Sequence, residues 1–368
     1  MNIGLCGFGV VGRGVYEIVR QRLDMKVKKI LCLEDIQLPD AQTVKDFSEI
    51  LNDPEIDTVV EAMGGLHPSY DFAHAALEAG KNVVSSNKAM VCTFYDELIP
   101  LAMHKGVSLR CTAAVGGGIG WLSELERARR VQTINQVGGI MNGTCNYILD
   151  NMTRLGLGYD EALKQAQKLG YAEANPATDV DGIDTWHKVI LSANVAFGIS
   201  LDKATVPVSG IRNISAADVD CFKAHGKVCK LISTAKRTED GFSAYVQPTL
   251  VAAGSPEGAV PLNYNLITFI GQTSERMSFY GQGAGRYPTA YNVVQDLVDV
   301  TQGKSFYAPY GAPQAADNQE AHHYYVRGDW EGSIQEDWST GVITAPVPVS
   351  QMHQWVKDHP DAFIAGVD

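Results

Sequence analysis

Over the first third of the chain, short apolar runs alternate with segments in which apolar residues recur at helical spacing. Residues 1–5 form an apolar run, and after a glycine-rich turn Val15, Ile18 and Val19 share one face of a predicted helix. The pattern predicts further strands at residues 27–33, 58–62 and 82–86, and a helix at residues 70–79. Alternating strands and helices predict an α/β fold with a doubly wound parallel sheet.

After about residue 121 the pattern changes to helices and longer strand-like runs, including residues 136–141 and 242–251. We interpret this part as a second, α+β domain. A second glycine-rich turn, residues 281–290, precedes a helical pattern at 291–300 and carries Pro and Thr at the helix start. It predicts a return crossover to the first domain, and an ordinary interdomain loop is the alternative.

These changes in pattern predict three regions. Residues 1–120 form a dinucleotide-binding domain with a return segment at 281–310, residues 121–280 form a substrate domain, and residues 311–368 form a small C-terminal appendage. Within the appendage the pattern predicts a linker at 311–318, strands at 324–326, 345–349 and 362–367, and a helix at 351–357.

The first glycine-rich turn has the pattern G-x-G-x-x-G between a strand and a helix. Such glycines let the backbone approach a pyrophosphate, and the helix N-terminus supplies N–H donors. The predicted cofactor loop comprises Gly7, Phe8, Gly9, Val10, Val11 and Gly12. A turn that only reverses the chain is the alternative.

Ligands of parallel sheets bind beyond the carboxyl ends of the strands. Polar or glycine-rich segments follow three predicted strands, at residues 63–65, 86–89 and 115–119. We therefore add Gly65, Asn87 and Lys88 to the predicted cofactor site, together with Gly283 from the second glycine-rich turn.

Glu34 follows the second predicted strand, where a carboxylate would accept a hydrogen bond from the ribose 2′-hydroxyl and repel a 2′-phosphate. This position favours NAD over NADP. Two alternatives stay open, because Lys45 could reach a 2′-phosphate and Glu34 could be a solvated turn residue.

The segment 169–188 combines four carboxylates with one lysine. Asp184 and Lys188 are four residues apart and so share a helix face. The residues after Lys188 are apolar around nearly the whole helix, which predicts a buried helix and a buried lysine. A buried ammonium needs a partner, and such lysines often transfer protons. An exposed Asp184–Lys188 pair with Asp181 as a helix cap is the alternative.

Composition excludes several classes of protein. The 368 residues carry a formal net charge of −12, which disfavours a nucleic-acid partner. No apolar run approaches the roughly 20 residues that cross a bilayer, and no signal-peptide pattern opens the chain, so we expect no membrane association and a cytoplasmic location. Seven cysteines form no C-x-x-C pair, and for Cys145 we expect packing rather than nucleophilic chemistry.

Taken in chain order, seven segments resemble homoserine dehydrogenases over residues 1 to about 300. These segments are residues 7–12, 61–65, 86–89, 115–119, 139–147, 169–188 and 281–290. The resemblance implies a Rossmann-type nucleotide domain, a catalytic domain with a dimerising sheet, and a homodimer. It also implies interconversion of L-homoserine and L-aspartate 4-semialdehyde with NAD or NADP, in threonine and methionine biosynthesis.

The resemblance also assigns residues to tasks. The implied substrate contacts are Tyr171, Glu173, Asp179, Asp184 and Thr144, and the implied active-site lysines are Lys88 and Lys188. A general acid must deliver a proton as hydride reaches the aldehyde. We expect Lys188 to do so with Asp184 orienting it, and Lys88 to bind the polar end of the substrate near the nicotinamide.

Three departures from the family pattern matter. The resemblance implies a monovalent cation bound by backbone oxygens of Val115, Gly117 and Ile119, but Thr112 replaces the family's glutamate there and is a weaker ligand. Gly120 replaces a proline. The tail is too short for a full regulatory module, so we expect no feedback control by threonine.

Two other functions stay open from the sequence. One is a dehydrogenase for a different amino alcohol or aldehyde, for which the departures leave room. The other is a dinucleotide sensor without turnover, which the presence of both lysines disfavours.

Overall fold

The computed structural model describes residues 1–304 and 311–368. The chain divides into two compact units. Unit 1 comprises Met1–Val131, Asn194–Ser200 and Gln282–Ala312, and unit 2 comprises Gln132–Ala193, Leu201–Gly281 and Pro313–Asp368. Residues 305–310, the end of the predicted return segment, lie outside the described residues.

Residues 1–131 alternate between strands and helices. The strands are β1 (Asn2–Cys6), β2 (Lys26–Leu31), β3 (Gln42–Val44), β4 (Thr58–Glu61), β5 (Asn82–Ser85) and β6 (Leu109–Arg110). The helices are α1 (Val10–Val19), α2 (Ser48–Leu51), α3 (Ser69–Glu78), α4 (Lys88–Thr93), α5 (Tyr95–Lys105) and α6 (Trp121–Arg129).

Longer elements follow. The strands are β7 (Ile134–Ile140), β8 (Ser200–Leu201), β9 (Lys227–Arg237), β10 (Phe242–Ala252), β11 (Tyr264–Gly271) and β12 (Glu275–Gln282). The helices are α7 (Gly143–Leu155), α8 (Tyr159–Lys168), α9 (Ala177–Val180), α10 (Ile183–Phe197), α11 (Ala216–Ala224) and α12 (Arg286–Thr301).

The C-terminal part adds short strands and one helix. The strands are β13 (Pro313–Gln314), β14 (Ala321–His322), β15 (Tyr324–Arg327), β16 (Ile334–Asp337), β17 (Val342–Thr344), β18 (Val347–Pro348) and β19 (Phe363–Val367), and the helix is α13 (Val349–Asp358). The predicted strand at 345–349 is present only as the shorter β18, because Pro346 lacks the N–H that a strand ladder needs and Val349 already begins α13.

The sheet of unit 1 confirms the predicted parallel architecture. Its order is β3-β2-β1-β4-β5-β6 with every pair parallel, and the order reverses between β1 and β4. That reversal is where open parallel sheets bind ligands. The sequence pattern missed β3 and β6, which are too short to show a periodic signal.

Helix α12 packs on α1 and returns the chain to unit 1, so the predicted crossover is present. The close packing of these two helices explains why residue 14 is glycine. A Cβ at Gly14 would lie 2.9 Å from the Cβ of Ala290, nearer than two side-chain carbons can approach. Val293 and Leu297 of α12 lie in the same core cluster as Leu5 of β1.

Unit 2 contains a nine-stranded mixed sheet in the order β12-β11-β7-β9-β10-β19-β15-β17-β16. The pair β10–β19 is parallel, and the neighbouring pairs β9–β10, β7–β9, β7–β11 and β15–β19 are antiparallel. Strands from the predicted C-terminal appendage therefore extend this sheet, and unit 2 includes that region. Helix α7 packs against β9 and β11.

Candidate active site

The glycine-rich turn after β1 leaves the start of α1 open. Gly7 has a φ of +94°, and a Cβ at Gly12 would overlap the Gly7 carbonyl oxygen, so both positions require glycine. A Cβ at Gly9 would have no atom within 4 Å. Gly9 caps α1 and Val10 is 65% exposed. The first N–H groups of α1 are thus accessible to an anionic ligand such as a pyrophosphate.

A buried carboxylate organises the next two strand ends. Glu61, at the end of β4, accepts hydrogen bonds from Met63 N (2.9 Å) and Gly64 N (3.3 Å) on Oε1, and from Ser85 Oγ (2.6 Å) on Oε2. The sequence indicated the segment 61–65 but not this task. A carboxylate that ends an apolar strand was the available signal.

Asn87 ties the loop after β4 to the start of α4. Its Nδ2 donates to Gly65 O (2.6 Å), and its Oδ1 accepts from Met90 N (3.1 Å) as the helix cap. Lys88 is the first residue of α4 and is half-buried. Gly65, Asn87 and Lys88 therefore lie together beyond the carboxyl ends of β4 and β5.

Two acidic residues that follow β2 form ion pairs with basic side chains. Glu34 is exposed, and its Oε2 lies 3.4 Å from Nη2 of Arg13, a residue that the sequence pattern did not indicate. The guanidinium carbon of Arg13 lies 4.7 Å from the ring centroid of Phe8. Lys45 lies 2.8 Å from Asp35 and donates to Leu33 O (2.6 Å).

In unit 2, helix α10 carries the predicted lysine pair. Lys188 Nζ donates to Asp184 Oδ2 and to Met141 O, both at 2.7 Å, and Lys188 and Asp184 are 6% and 5% exposed. The expected shared face and burial are confirmed, so the pair is not a surface pair. Asp181 instead pairs with Arg212, whose Nη2 donates to Asp181 Oδ2 at 2.9 Å.

Asn142 joins the two predicted carboxylates. Its Nδ2 donates to Asp184 Oδ2 and Asp179 Oδ1, both at 2.8 Å, while its Oδ1 accepts from Cys145 N (2.8 Å) as the cap of α7. The resemblance indicated the segment 139–147 and Thr144, but gave Asn142 no task. An asparagine directly before a helix was the available signal, since it is a common helix cap.

Thr144 and Tyr171 meet through a side-chain to backbone bond. Thr144 Oγ1 donates to Tyr171 O at 2.6 Å, and the Tyr171 ring lies 5.1 Å from that of Tyr147. Tyr171 is 40% exposed, and Glu173 lies on the same exposed loop. Burial raises the pKa of the Cys145 thiol well above its usual value, which agrees with a packing role.

Two of the three backbone oxygens expected to hold a monovalent cation already accept hydrogen bonds, and Trp121 N donates to one of them, Ile119 O, at 2.7 Å. Gly117 O accepts a hydrogen bond from Asn292 Nδ2 (2.6 Å), and Thr112 Oγ1 donates to Asp296 Oδ1 (2.6 Å). Within residues 1–304 and 311–368, no group of three or more His, Cys, Asp or Glu side chains is placed to hold a metal ion. Gly283 lies against this turn, since a Cβ at Gly117 would meet its carbonyl.

A parallel sheet of this strand order, with a glycine turn and an open helix start after β1, defines a dinucleotide-binding Rossmann domain. The class that this fold and turn define is a dinucleotide-binding protein. Residues 7–112 match the model "Homoserine dehydrogenase, NAD binding domain", and residues 121–298 match "Homoserine dehydrogenase". The chain belongs to the homoserine dehydrogenase family.

Individual relatives agree with the family match. The chain is 34% identical over 330 residues to a homoserine dehydrogenase of Bacillus subtilis, covering 84% of this chain and 76% of the relative. For the Lactococcus lactis enzyme the identity is 35%, covering 93% and 84%. A crystal structure of a homoserine dehydrogenase from Thiobacillus denitrificans superposes with a TM-score of 0.86 at 27% identity, covering 100% and 98%.

Among the described residues, none of the helices has both the length and the apolar character needed to cross a membrane.

Proposed function

We propose that this enzyme interconverts L-homoserine and L-aspartate 4-semialdehyde with a nicotinamide dinucleotide, and that Lys188 transfers the proton. The observation that carries the proposal is the buried network of Lys188, Asp184, Asn142 and Asp179. In the reductive direction, hydride adds to the aldehyde carbon and the carbonyl oxygen takes a proton. In the oxidative direction, the same lysine accepts the hydroxyl proton.

The network gives Lys188 a fixed position. An ammonium has three N–H donors, and Asp184 Oδ2 and Met141 O take two of them, which leaves one for a substrate oxygen. A positioned ammonium stabilises the charge that develops on that oxygen and supplies the proton. Asp184 orients the lysine, and Asn142 Nδ2 donates to the same Asp184 oxygen, Oδ2.

The remaining residues suit a zwitterionic substrate. We assign Asp179, Glu173 and Asp184 to the α-ammonium group, and Thr144 and Tyr171 to further contacts with the substrate. Lys88 is assigned to the polar end of the substrate near the nicotinamide, because it follows the Asn87 loop at the strand ends of unit 1. The dinucleotide supplies the hydride when it is bound.

Replacing Lys188 tests the central assignment. We expect Lys188→Ala to lower kcat by ~10²–10⁴ while NADH fluorescence titrations show unchanged cofactor affinity. Lys164→Ala is the matched control, since Lys164 is an exposed lysine on α8. If Lys188→Ala keeps most of the wild-type turnover with its cofactor bound, Lys188 is not the proton carrier.

A substrate panel tests the reaction itself. Oxidation of L-homoserine should exceed that of other amino alcohols at alkaline pH, with either cofactor. Preference for a different amino alcohol would assign the same site to another substrate. Dinucleotide binding without any turnover would indicate a sensor.

For the cofactor we propose a preference for NAD. Two cations near the end of β2 are already paired with acids, Arg13 with Glu34 and Lys45 with Asp35. The Glu34 carboxylate would accept a hydrogen bond from the ribose 2′-hydroxyl and would repel a 2′-phosphate. We expect kcat/KM to be higher with NADH than with NADPH, and Glu34→Gln to reduce that difference. A strong NADPH preference of the wild type would contradict the proposal.

We also propose a homodimer that uses the sheet of unit 2. Strand β12 forms an edge of this sheet and is largely exposed, with Met277 41% and Tyr280 55% accessible. An exposed apolar edge strand is a template for pairing with another chain. Light scattering after size exclusion should give twice the chain mass, and a monomer at assay concentration would contradict the proposal.

A further inference from the structure

The glycine-rich turn after β6 is held by a buried amide from α12. Asn292 is 2% exposed, and its Nδ2 donates to Gly117 O at 2.6 Å. Because a carbonyl oxygen can only accept, the nitrogen of the amide must be the atom that faces it. Gly117 has a φ of +49°, and Gly118 N donates to Gln282 O at 3.1 Å. The turn conformation is therefore fixed by a backbone hydrogen bond as well as by the Asn292 side chain.

One helical turn further along α12, Asp296 fixes the start of the same segment. It accepts from Thr112 N (2.7 Å) and Thr112 Oγ1 (2.6 Å), and Arg110 Nε donates to it at 3.1 Å. Asn292 and Asp296 are four residues apart and therefore share a face of α12. Thr112 therefore presents a hydroxyl at the position where the family's glutamate would present a carboxylate to a cation. This hydroxyl donates its proton to Asp296.

These contacts oppose cation binding at Gly117 O and beside Thr112. A monovalent cation needs the lone pairs of oxygen ligands, and Asn292 Nδ2 takes one of the two lone pairs of Gly117 O and places partial positive charge beside it, which weakens this oxygen as a cation ligand. Thr112 adds no negative charge. The positive charge near Asp296 is already present in Arg110, which is fully buried and also donates to Asp299 (2.8 Å).

We propose that Asn292, together with the Thr112–Asp296 pair, replaces a bound monovalent cation in holding this turn. The enzyme therefore requires neither Na⁺ nor K⁺ for stability or for turnover. Asn292 acts as a positioning residue, since it fixes a backbone segment at the strand ends of unit 1.

The wild-type enzyme gives the first test. Thermal unfolding and turnover are measured in choline, sodium and potassium chloride at equal ionic strength of about 0.15 M, which keeps general screening constant. We expect the same Tm and the same kcat/KM in all three salts. ²³Na NMR should show no saturable line broadening. A clear gain of Tm or of turnover in Na⁺ or K⁺, or saturable sodium binding, overturns the proposal.

Asn292→Asp converts the donor into an acceptor of the same size. A carboxylate facing Gly117 O should repel it unless a cation lies between them, so this variant should become cation-dependent. At pH 8 we expect its Tm and kcat/KM to fall in choline and to recover in Na⁺ or K⁺, with at least about a fivefold gain in kcat/KM.

The matched control is Asn213→Asp. Asn213 Nδ2 also donates to backbone carbonyls, Pro360 O (2.6 Å) and Ala362 O (2.9 Å), but Asn213 is exposed in unit 2. Loss of these bonds should not depend on the kind of cation. If Asn292→Asp responds to Na⁺ and K⁺ no more than the control, the assignment of Asn292 is wrong.

A second variant and two readouts that do not depend on turnover complete the test. If Asn292→Asp does not fold, Asn292→Ser removes the amide without adding charge, and its Tm should be lower than that of the wild type in all salts. The turnover measurement rests on the proposed function, whereas Tm and ²³Na NMR do not. A wild type without homoserine oxidation but with a cation-independent Tm would contradict only the proposed function.

Discussion

At the scale of single residues, the protein uses buried polar side chains that each satisfy several partners. Asn142 donates to two carboxylates and accepts from a backbone N–H, and Glu61 accepts three hydrogen bonds. A buried polar group without partners costs about 1–3 kcal/mol, so these side chains constrain their surroundings strongly. Single substitutions at such positions should have effects out of proportion to their size.

Asp184→Asn should separate orientation of Lys188 from the overall fold. The amide keeps the shape but removes the negative charge that Lys188 contacts at 2.7 Å. We expect kcat to fall by roughly 10–10³-fold with cofactor affinity unchanged. Asp181→Asn is the matched control, because Asp181 lies three residues earlier and pairs with Arg212 away from the lysine. Equal losses in both variants would argue against a special task for Asp184.

Lys230 should make stability depend on pH. Its Nζ donates to Asn146 Oδ1 and Val260 O, and burial lowers its pKa to about 8. Between about pH 8 and the ordinary value of 10.5 the unfolded chain binds the additional proton, so rising pH stabilises the fold. The resulting increase in the free energy of unfolding approaches roughly 3 kcal/mol as the pH reaches the upper end of this range.

Lys230→Met should remove this contribution. Urea unfolding at pH 7.5, 8.5 and 9.5, chosen to cross a pKa of about 8, should give a flatter profile for the variant than for the wild type. Lys164→Met replaces an exposed lysine and should leave the slope unchanged. Parallel profiles for Lys230→Met and the wild type would show that Lys230 keeps its ordinary pKa.

At the scale of elements, the sequence predicted those strands and helices of unit 1 in which an apolar run or a helical period is clear. Strands β1, β4 and β5 and helix α3 lie within two residues of their predicted ends. Short elements such as β3 and β6 were missed, since two or three residues carry no period. The helix after Gly285 begins at Arg286 rather than near 291, because Pro288 is tolerated in a first helical turn.

The turn between β1 and α1 should respond differently at its two glycines. Gly12→Ala should lower Tm, because its Cβ would overlap the Gly7 carbonyl oxygen. Gly9→Ala should keep the Tm of the free enzyme but weaken NADH binding, since its Cβ would enter the open space at the start of α1. Calorimetry and fluorescence titration measure the two effects. Unchanged NADH affinity in Gly9→Ala would place the dinucleotide elsewhere.

At the start of α6, Gly120→Pro should stabilise the enzyme. Gly120 has a φ of −73°, which proline adopts without strain, and a Cβ there would lie 3.8 Å from Asn292 Oδ1, an ordinary contact. Proline restricts the unfolded chain, and the expected gain is about 0.4–1 kcal/mol. A lower Tm would indicate that the Gly120 N–H is needed.

At the scale of the whole molecule, contacts between distant parts of the chain define the units. The C-terminal strands β15 and β19 complete a sheet whose first strand, β7, begins at Ile134, and β19 pairs with β10. The sequence predicted these strands but placed them in an appendage. Strand periodicity shows that a segment is half-buried and does not show which partner it joins.

The sequence by itself determined what is encoded over short distances. It fixed the glycine turn after β1 and the Asp184–Lys188 pair, because strand and helix geometry set which residues lie together within a few positions. Only the tertiary structure brought Asn142 to Asp184 and Asn292 to Gly117, which are 42 and 175 positions apart. Such contacts depend on how elements pack, and packing follows from the complementary shapes of whole surfaces rather than from spacing along the chain.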